Sequence, residues 1–282
     1  MRFAICNEIF WTEDKNKWTL RRQFEAARSM GFSGIEISPF TLNFDARQIT
    51  DEQKREIVDC AGEFGIEVAG IHWLLSNTEG YHVTSPDPEV RERTALYMED
   101  LVRLGIEIGG TMMVVGSPLQ RAVKDGVSYA QAWEWFRDCM RRCGEVALDA
   151  DFKVCIEPLA AATQNNFIYK ADEARKMARE INLPTVGVIL DTYSGSQEEA
   201  DLPQEIRNTA DLLYHYHCND LNKRAPGWGD TDFVPIMKAL LDIGYQRYCS
   251  IEVFDFSLDA CEHCEKGLRT LEAALEQAKA EA

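Results

Sequence analysis

The sequence predicts a single (β/α)₈ TIM barrel spanning residues 1–282, and three observations carry that expectation. Eight short runs rich in β-branched and aromatic residues alternate with longer segments of helical period. The length, 282 residues, is that of one such barrel. No Pro-, Gly- or Ser-rich linker and no break in composition divides the chain.

The first run, 2–7, leads into Cys6-Asn7-Glu8-Ile9-Phe10. A doubly wound open sheet, the runner-up architecture, needs a Gly-rich phosphate turn at that place. Leu20, Phe24 and Ala27 then recur at helical spacing, and 34–37 is the second strand. Thr50-Asp51-Glu52-Gln53 reads as a capping box opening a helix, because Thr50 and Gln53 can each satisfy the other's free backbone N–H. Runs at 67–72, 112–116, 153–157, 186–191 and 213–217 supply five more strands. Phe233, Ile236, Met237, Leu240 and Leu241 mark one face of a helix. The run 248–252 is the eighth strand, and a last helix over about 258–280 closes the count.

Charge narrows the function classes. Thirty Lys+Arg against 47 Asp+Glu leave a net charge of −17, without the basic patch that a phosphate backbone or an anionic membrane surface requires. No run of about 18 apolar residues and no signal-peptide core occur, so a cytoplasmic protein is expected. Nine cysteines, six of them (Cys6, Cys60, Cys139, Cys143, Cys155, Cys249) inside apolar patterns, read as reduced thiols. Cys261 and Cys264 form a CxxC without a second ligand pair, which argues against structural zinc.

In a barrel the chemistry sits at the C-terminal strand ends. The last four runs end in Glu157, Asp191, His217 and Glu252. One such residue alone would read as a solvated strand boundary. Four on consecutive strands, spaced less than about 5 Å apart, point to one site. Three carboxylates packed together repel unless a cation lies among them. Two Glu, one Asp and one His suit one divalent metal ion in six-coordinate geometry, Mn²⁺ first, with Mg²⁺, Co²⁺ or Zn²⁺ as further candidates. The open positions fit the vicinal hydroxyl and carbonyl of a keto-sugar, whose intervening C–H becomes acidic through a metal-stabilised enediolate.

Ile156-Glu157-Pro158-Leu159, Leu190-Asp191-Thr192-Tyr193, the run His215 to Asp220, Pro226-Gly227-Trp228-Gly229 with Asp232, and Ile251-Glu252 together carry a resemblance. The chain resembles the xylose isomerase-like TIM-barrel superfamily, in particular the sugar phosphate isomerase/epimerase group that includes D-tagatose 3-epimerase. The resemblance implies that Glu157, Asp191, His217 and Glu252 bind one divalent cation, and that Glu157 and Glu252 are the catalytic acid/base pair on opposite faces of the substrate. Two positions depart from the epimerase pattern. Ser194 stands where a His is expected, and Thr163 or Gln164 where a Glu is expected.

Further substrate contacts are expected from Lys223 or Arg224 after the seventh strand, since only one of two adjacent cations can face the site. His72, beside Trp73, can hydrogen-bond a substrate oxygen. Ser117, Gln120 and Arg121 can hold a polar or phosphorylated end. Trp11, Trp73 and Trp228 offer aromatic walls. Glu36 is expected behind the ligands and His215 one layer deeper than His217, as packing.

The leading expectation is a metal-dependent isomerase or epimerase of a keto-sugar or related polyol, phosphorylated or not, with a small carbohydrate as its partner and no nucleic acid or membrane. A homo-oligomer is left open. The alternative is a dehydratase acting on a keto-inositol or dehydroshikimate-type substrate, for which His72 is the one candidate acid. An endonuclease IV-like hydrolase needs a three-metal cluster, which five His and a charge of −17 disfavour. A non-catalytic sugar-binding barrel is opposed by the intact ligand quartet.

Overall fold

The computed structural model describes residues 1–12 and 17–281. Eight parallel strands form a closed barrel in sequence order: β1 (Arg2–Cys6), β2 (Gly34–Ile37), β3 (Glu67–Ile71), β4 (Met112–Val115), β5 (Lys153–Ile156), β6 (Val186–Asp191), β7 (Leu213–Cys218) and β8 (Tyr248–Ile251). β8 closes onto β1 with Phe3 opposite Cys249 and Ile5 opposite Ile251. All eight strands lie where the β-branched runs place them.

Among the described residues ten α-helices lie between and after the strands: α1 (Leu20–Met30), α2 (Asp51–Phe64), α3 (Pro88–Glu107), α4 (Pro118–Arg121), α5 (Tyr129–Val146), α6 (Ala171–Ile181), α7 (Thr192–Glu198), α8 (Leu202–Asn208), α9 (Val234–Asp242) and α10 (Ala260–Ala280). The Thr50/Gln53 capping box opens α2, with both reciprocal hydrogen bonds formed. Two boundaries move from the periodic reading. Phe233 is the residue before α9, and α10 begins at Ala260 because the Asp259 carboxylate accepts from the backbone N–H groups of Cys261 and Glu262.

The larger apolar core lies between sheet and helices and buries Phe24, Leu101, Phe136, Met177, Leu240 and Leu271. Two small clusters, Met112/Val114/Cys155/Ile189 and Ala4/Ala69/Tyr248, are separate from it and fill the barrel. Side chains two apart share a strand face, so Glu157, Asp191, His217 and Glu252 stack above Cys155, Ile189, His215 and Ser250. The barrel thus turns from apolar to ionisable toward its C-terminal mouth.

All nine cysteines are unpaired, and Cys264 is buried within the α10 packing. No helix among the described residues is long and apolar enough to cross a membrane.

Candidate active site

At the mouth of the barrel, one potential ligand atom from each of Glu157, Asp191, His217 and Glu252 lies within 4.8 Å of the others, and all four residues are buried. His217 Nδ1 is 3.2 Å from Glu252 Oε2 and 3.9 Å from Glu157 Oε1. It is a buried nitrogen without a hydrogen-bond partner among the described residues. Burial and the charge of Glu252 push Glu157 up to about 8, and the same two causes push Asp191 up to about 6. The three carboxylates therefore resist ionising together. An orphaned imidazole nitrogen facing such a set fits a divalent cation, which supplies the missing positive charge and the missing partner.

Each of the four side chains is held from behind. Asp191 Oδ1 accepts from the Ser194 backbone N–H and Oδ2 from Asn219 Nδ2, both at 2.6 Å. Glu252 Oε1 accepts from the Trp73 indole at 2.7 Å. Glu157 runs past Gly116, where a Cβ would come within 2.1 Å of Glu157 Oε2, so only glycine leaves room for the carboxylate. His217 Nε2 donates to Glu36 Oε1 at 3.1 Å, and the other oxygen, Oε2, pairs with His215 Nε2 at 2.9 Å. Burial opposes ionisation of Glu36, but the positive field of His215, His217 and His72 holds it well below the ordinary carboxylate range. A carboxylate behind a histidine fixes which ring nitrogen carries the proton and leaves the other to bind. Register slips by one residue between β2 and β3 at Ile35/Glu36, next to this inward carboxylate.

Above the four residues opens a cavity of about 460 Å³. One wall carries hydroxyl and amide groups: Ser117, Gln120, Thr163, Gln164 and Ser194. The Ser194 hydroxyl is buried and has no partner among the described residues. Trp73 and Phe254 form an apolar wall, and Lys223 reaches the lining, its ammonium 5.3 Å from the Tyr193 ring centroid.

Four expected substrate contacts lie elsewhere. His72 is fully buried, with Nε2 2.7 Å from Glu8 Oε2 and 3.0 Å from the Ser38 hydroxyl, so it braces the barrel interior. Arg121 is buried beneath the mouth and donates to the carbonyls of Val115 (3.2 Å) and Glu157 (2.6 Å), tying β4 to β5. Arg224 pairs with Asp255 at 2.7 Å, which leaves Lys223 as the cation at the cavity. Trp228 packs edge-on against His263, with its indole N–H donating to the His263 carbonyl. His215 is more than packing, since it holds Glu36.

The structure adds Glu8, Asn219 and Gly116 as supports of the site. Glu8 and Gly116 follow the ends of strands 1 and 4, and Asn219 follows His217 by two, which is the signal that marks them. Asp220 explains the Pro226–Gly229 stretch. Its buried carboxylate accepts from the backbone N–H groups of Gly227, Gly229 and Thr231, shaping a turn and not a ligand contact.

Comparison with known proteins agrees with this fold. The family model described as the xylose isomerase-like TIM barrel matches residues 24–278. The chain is 33% identical over 262 residues to the 3-dehydro-D-guloside 4-epimerase of Escherichia coli, covering 89% of this chain and 92% of that protein. It is 26% identical over 252 residues to the D-psicose 3-epimerase of Ruminiclostridium cellulolyticum, covering 87% and 83%. Among solved structures, a D-psicose 3-epimerase from Clostridium cellulolyticum with D-tagatose superposes with a TM-score of 0.80 at 23% identity, covering 99% of this chain and 98% of that one, which is a likeness of fold. With a family model spanning most of its length and a relative 33% identical over 89% of it, the chain belongs to the xylose isomerase-like TIM-barrel family.

Proposed function

We propose that the chain is a divalent-metal-dependent epimerase or isomerase of a keto-sugar, inverting or moving a stereocentre beside the carbonyl. The observation that carries this reading is the convergence of Glu157 and Glu252, from non-adjacent strands, on the orphaned Nδ1 of His217 at the floor of a cavity with one polar and one aromatic wall. The 3-epimerase and 4-epimerase activities in the names of the relatives support the same class.

A divalent cation held by Glu157, Asp191, His217 and Glu252, with Mn²⁺ the first choice and Mg²⁺, Co²⁺ or Zn²⁺ compatible with the donor set, supplies Lewis acidity to the sugar's carbonyl and neighbouring hydroxyl. The protein's own groups move the protons. Inversion requires a base on one face of the carbon and an acid on the other, and Glu252 and Glu157 reach the floor from different sides of the barrel. Trp73 keeps the Glu252 carboxylate in place, and the orphaned Ser194 hydroxyl, with Gln164 and Lys223, offers hydrogen bonds to sugar oxygens. The dehydratase alternative loses its acid, because His72 is enclosed by Glu8 and Ser38 below the cavity.

Incubation with keto-sugars and their phosphates in D₂O tests the proposal. Product of unchanged molecular formula carrying solvent deuterium is expected, and Glu252→Gln abolishes the exchange. Loss of water from every accepted substrate would replace the epimerase with the dehydratase.

A further inference from the structure

Arg121 is the largest of the fully buried side chains among the described residues, and it pairs with no carboxylate there. Its Nη1 makes both of its hydrogen bonds, to the carbonyls of Val115 at 3.2 Å and Glu157 at 2.6 Å. Nε and Nη2 have no partner among the described residues. Burial pushes the guanidinium down to about 10, against the opposing pull of Glu157, so it is charged at neutral pH. A buried charge without a counter-ion costs stability, and its retention calls for a gain elsewhere.

That gain lies where the strands run out. The β4–β5 register ends at Val115 opposite Ile156 and the β5–β6 register at Ile156 opposite Val188, so Glu157 stands one residue past both. Pro158 follows, with no N–H to extend either ladder. The guanidinium takes the ladder's place, joining the last carbonyl of β4 to the carbonyl of Glu157. Its own backbone is fixed from the β3 side: the Arg121 carbonyl accepts from the Thr84 hydroxyl at 3.1 Å and the Gln120 carbonyl from the Val83 N–H at 2.7 Å. Asp191 and Glu252 have donors on their carboxylates, whereas the one side-chain hydrogen bond to Glu157 among the described residues is that of Arg121, on its main chain.

We propose that Arg121 is the positioning residue of Glu157: from beneath the mouth it fixes the main chain of the acid/base residue, and with it the direction of the carboxylate, without touching substrate or metal. This takes Glu157 as one of the four ligands and one of the two proton carriers, as proposed above. The two hydrogens of Nη1 serve one carbonyl each, and a charged donor makes the stronger bond. A displacement of about 1 Å at such a residue can cost about 100-fold in rate.

Arg121→Met, which loses the donors, and Arg121→Lys, which keeps the charge and a donor for the same carbonyls, test this by chelator competition for Mn²⁺ and by amide hydrogen exchange. Removing a positive charge near a cation site by itself tightens cation binding, so a fall in affinity reports a displaced ligand and not the lost field. Arg121→Met is expected to bind Mn²⁺ about tenfold more weakly. Its amides at 112–117 and 153–159 should exchange about tenfold faster, with the other strands protected as in the wild type. Arg121→Lys should stay within about threefold of wild type in both measurements. Mn²⁺ bound by Arg121→Met as tightly as by the wild type, or more tightly, would overturn the proposal. So would protection lost over the whole barrel, or an affinity that Arg121→Lys does not restore. Saturated with Mn²⁺, Arg121→Met should lose about 10–100-fold in kcat on the accepted keto-sugar, with KM within about threefold. Deuterium uptake keeps this apart from the epimerase reading. A wild type that takes up no deuterium into any keto-sugar, with the Mn²⁺ and amide results as expected, removes the epimerase and upholds the positioning, whereas uptake at wild-type rate in Mn²⁺-saturated Arg121→Met does the reverse.

Discussion

Glu36 accepts the Nε2–H of His217 at 3.1 Å from the far side of the barrel, so the ring turns its Nδ1 toward Glu157 and Glu252. Replacing Glu36 by Gln keeps the volume but removes the charge that holds this tautomer. Loss of such a supporting carboxylate typically weakens metal binding by about 10–100-fold. Chelator competition should show that loss in Glu36→Gln with an unchanged far-UV circular dichroism spectrum, and wild-type affinity would refute the orienting role.

Removing two ligands at once is the direct test of the quartet. Elemental analysis should find about one divalent ion per wild-type chain, as a four-residue site implies, and none in the Asp191→Ala, His217→Ala double mutant. Undiminished metal in the double mutant would place the ion elsewhere.

Gly116 gives a finer test, because a Cβ there would sit 2.1 Å from Glu157 Oε2. Gly116→Ala should displace the carboxylate and reduce both metal occupancy and kcat, with the barrel intact. Gly62, in the last turn of α2 with no atom near its absent Cβ, is the control. Gly62→Ala should raise stability by about 0.5–1 kcal/mol in a denaturant titration, with no effect on metal content.

The pH dependence has a definite sign. Glu157, at about 8, and Asp191, at about 6, sit above their ordinary values, and His217 is also raised, because burial is outweighed by Glu252 and Glu36. Groups whose folded values are raised stabilise the fold fully below their unfolded values, and that contribution is lost as pH rises through the folded ones. The metal-stripped protein should therefore lose thermal stability between about pH 7 and roughly 8.5, as the last carboxylate ionises, a range in which His82, His215 and His263, all lowered by burial, are neutral in the folded and unfolded chain alike. Ligation requires the same protons to leave, so added Mn²⁺ should raise the melting temperature most at the alkaline end. Stability of the stripped protein that climbs over this range would contradict the arrangement.

Lys223 and Arg224 differ only in direction, one at the cavity and the other on Asp255. Lys223→Ala should raise KM several-fold on the accepted keto-sugar without loss of metal. Arg224→Ala should leave KM near wild type. The opposite ranking in steady-state kinetics would reverse the assignment.

How much of this was legible in the sequence follows from the range of the forces involved. Strand runs, the Thr50 cap and the placement of Glu157, Asp191, His217 and Glu252 at strand ends depend on local periodicity, and in a barrel that closes in sequence order these strand ends must share one mouth. The directions of the surrounding side chains depend on partners distant in the chain. Glu8 meets His72 across 64 positions, Glu36 meets His215 and His217 across 179 and 181, and Trp73 meets Glu252 across 179. No pattern of residue types announces such pairs, because a buried ionisable group turns toward whichever opposite partner the closed barrel brings near, to offset its desolvation. His72 and Arg121 were accordingly drawn inward from the substrate roles their strand-end positions suggested, and Lys223 became the cation at the cavity only because Asp255 holds Arg224. The sequence by itself determined the barrel and the four residues at its mouth; the tertiary structure decided which groups brace them and which face the cavity, since that choice is made by contacts that exist only once the barrel has closed.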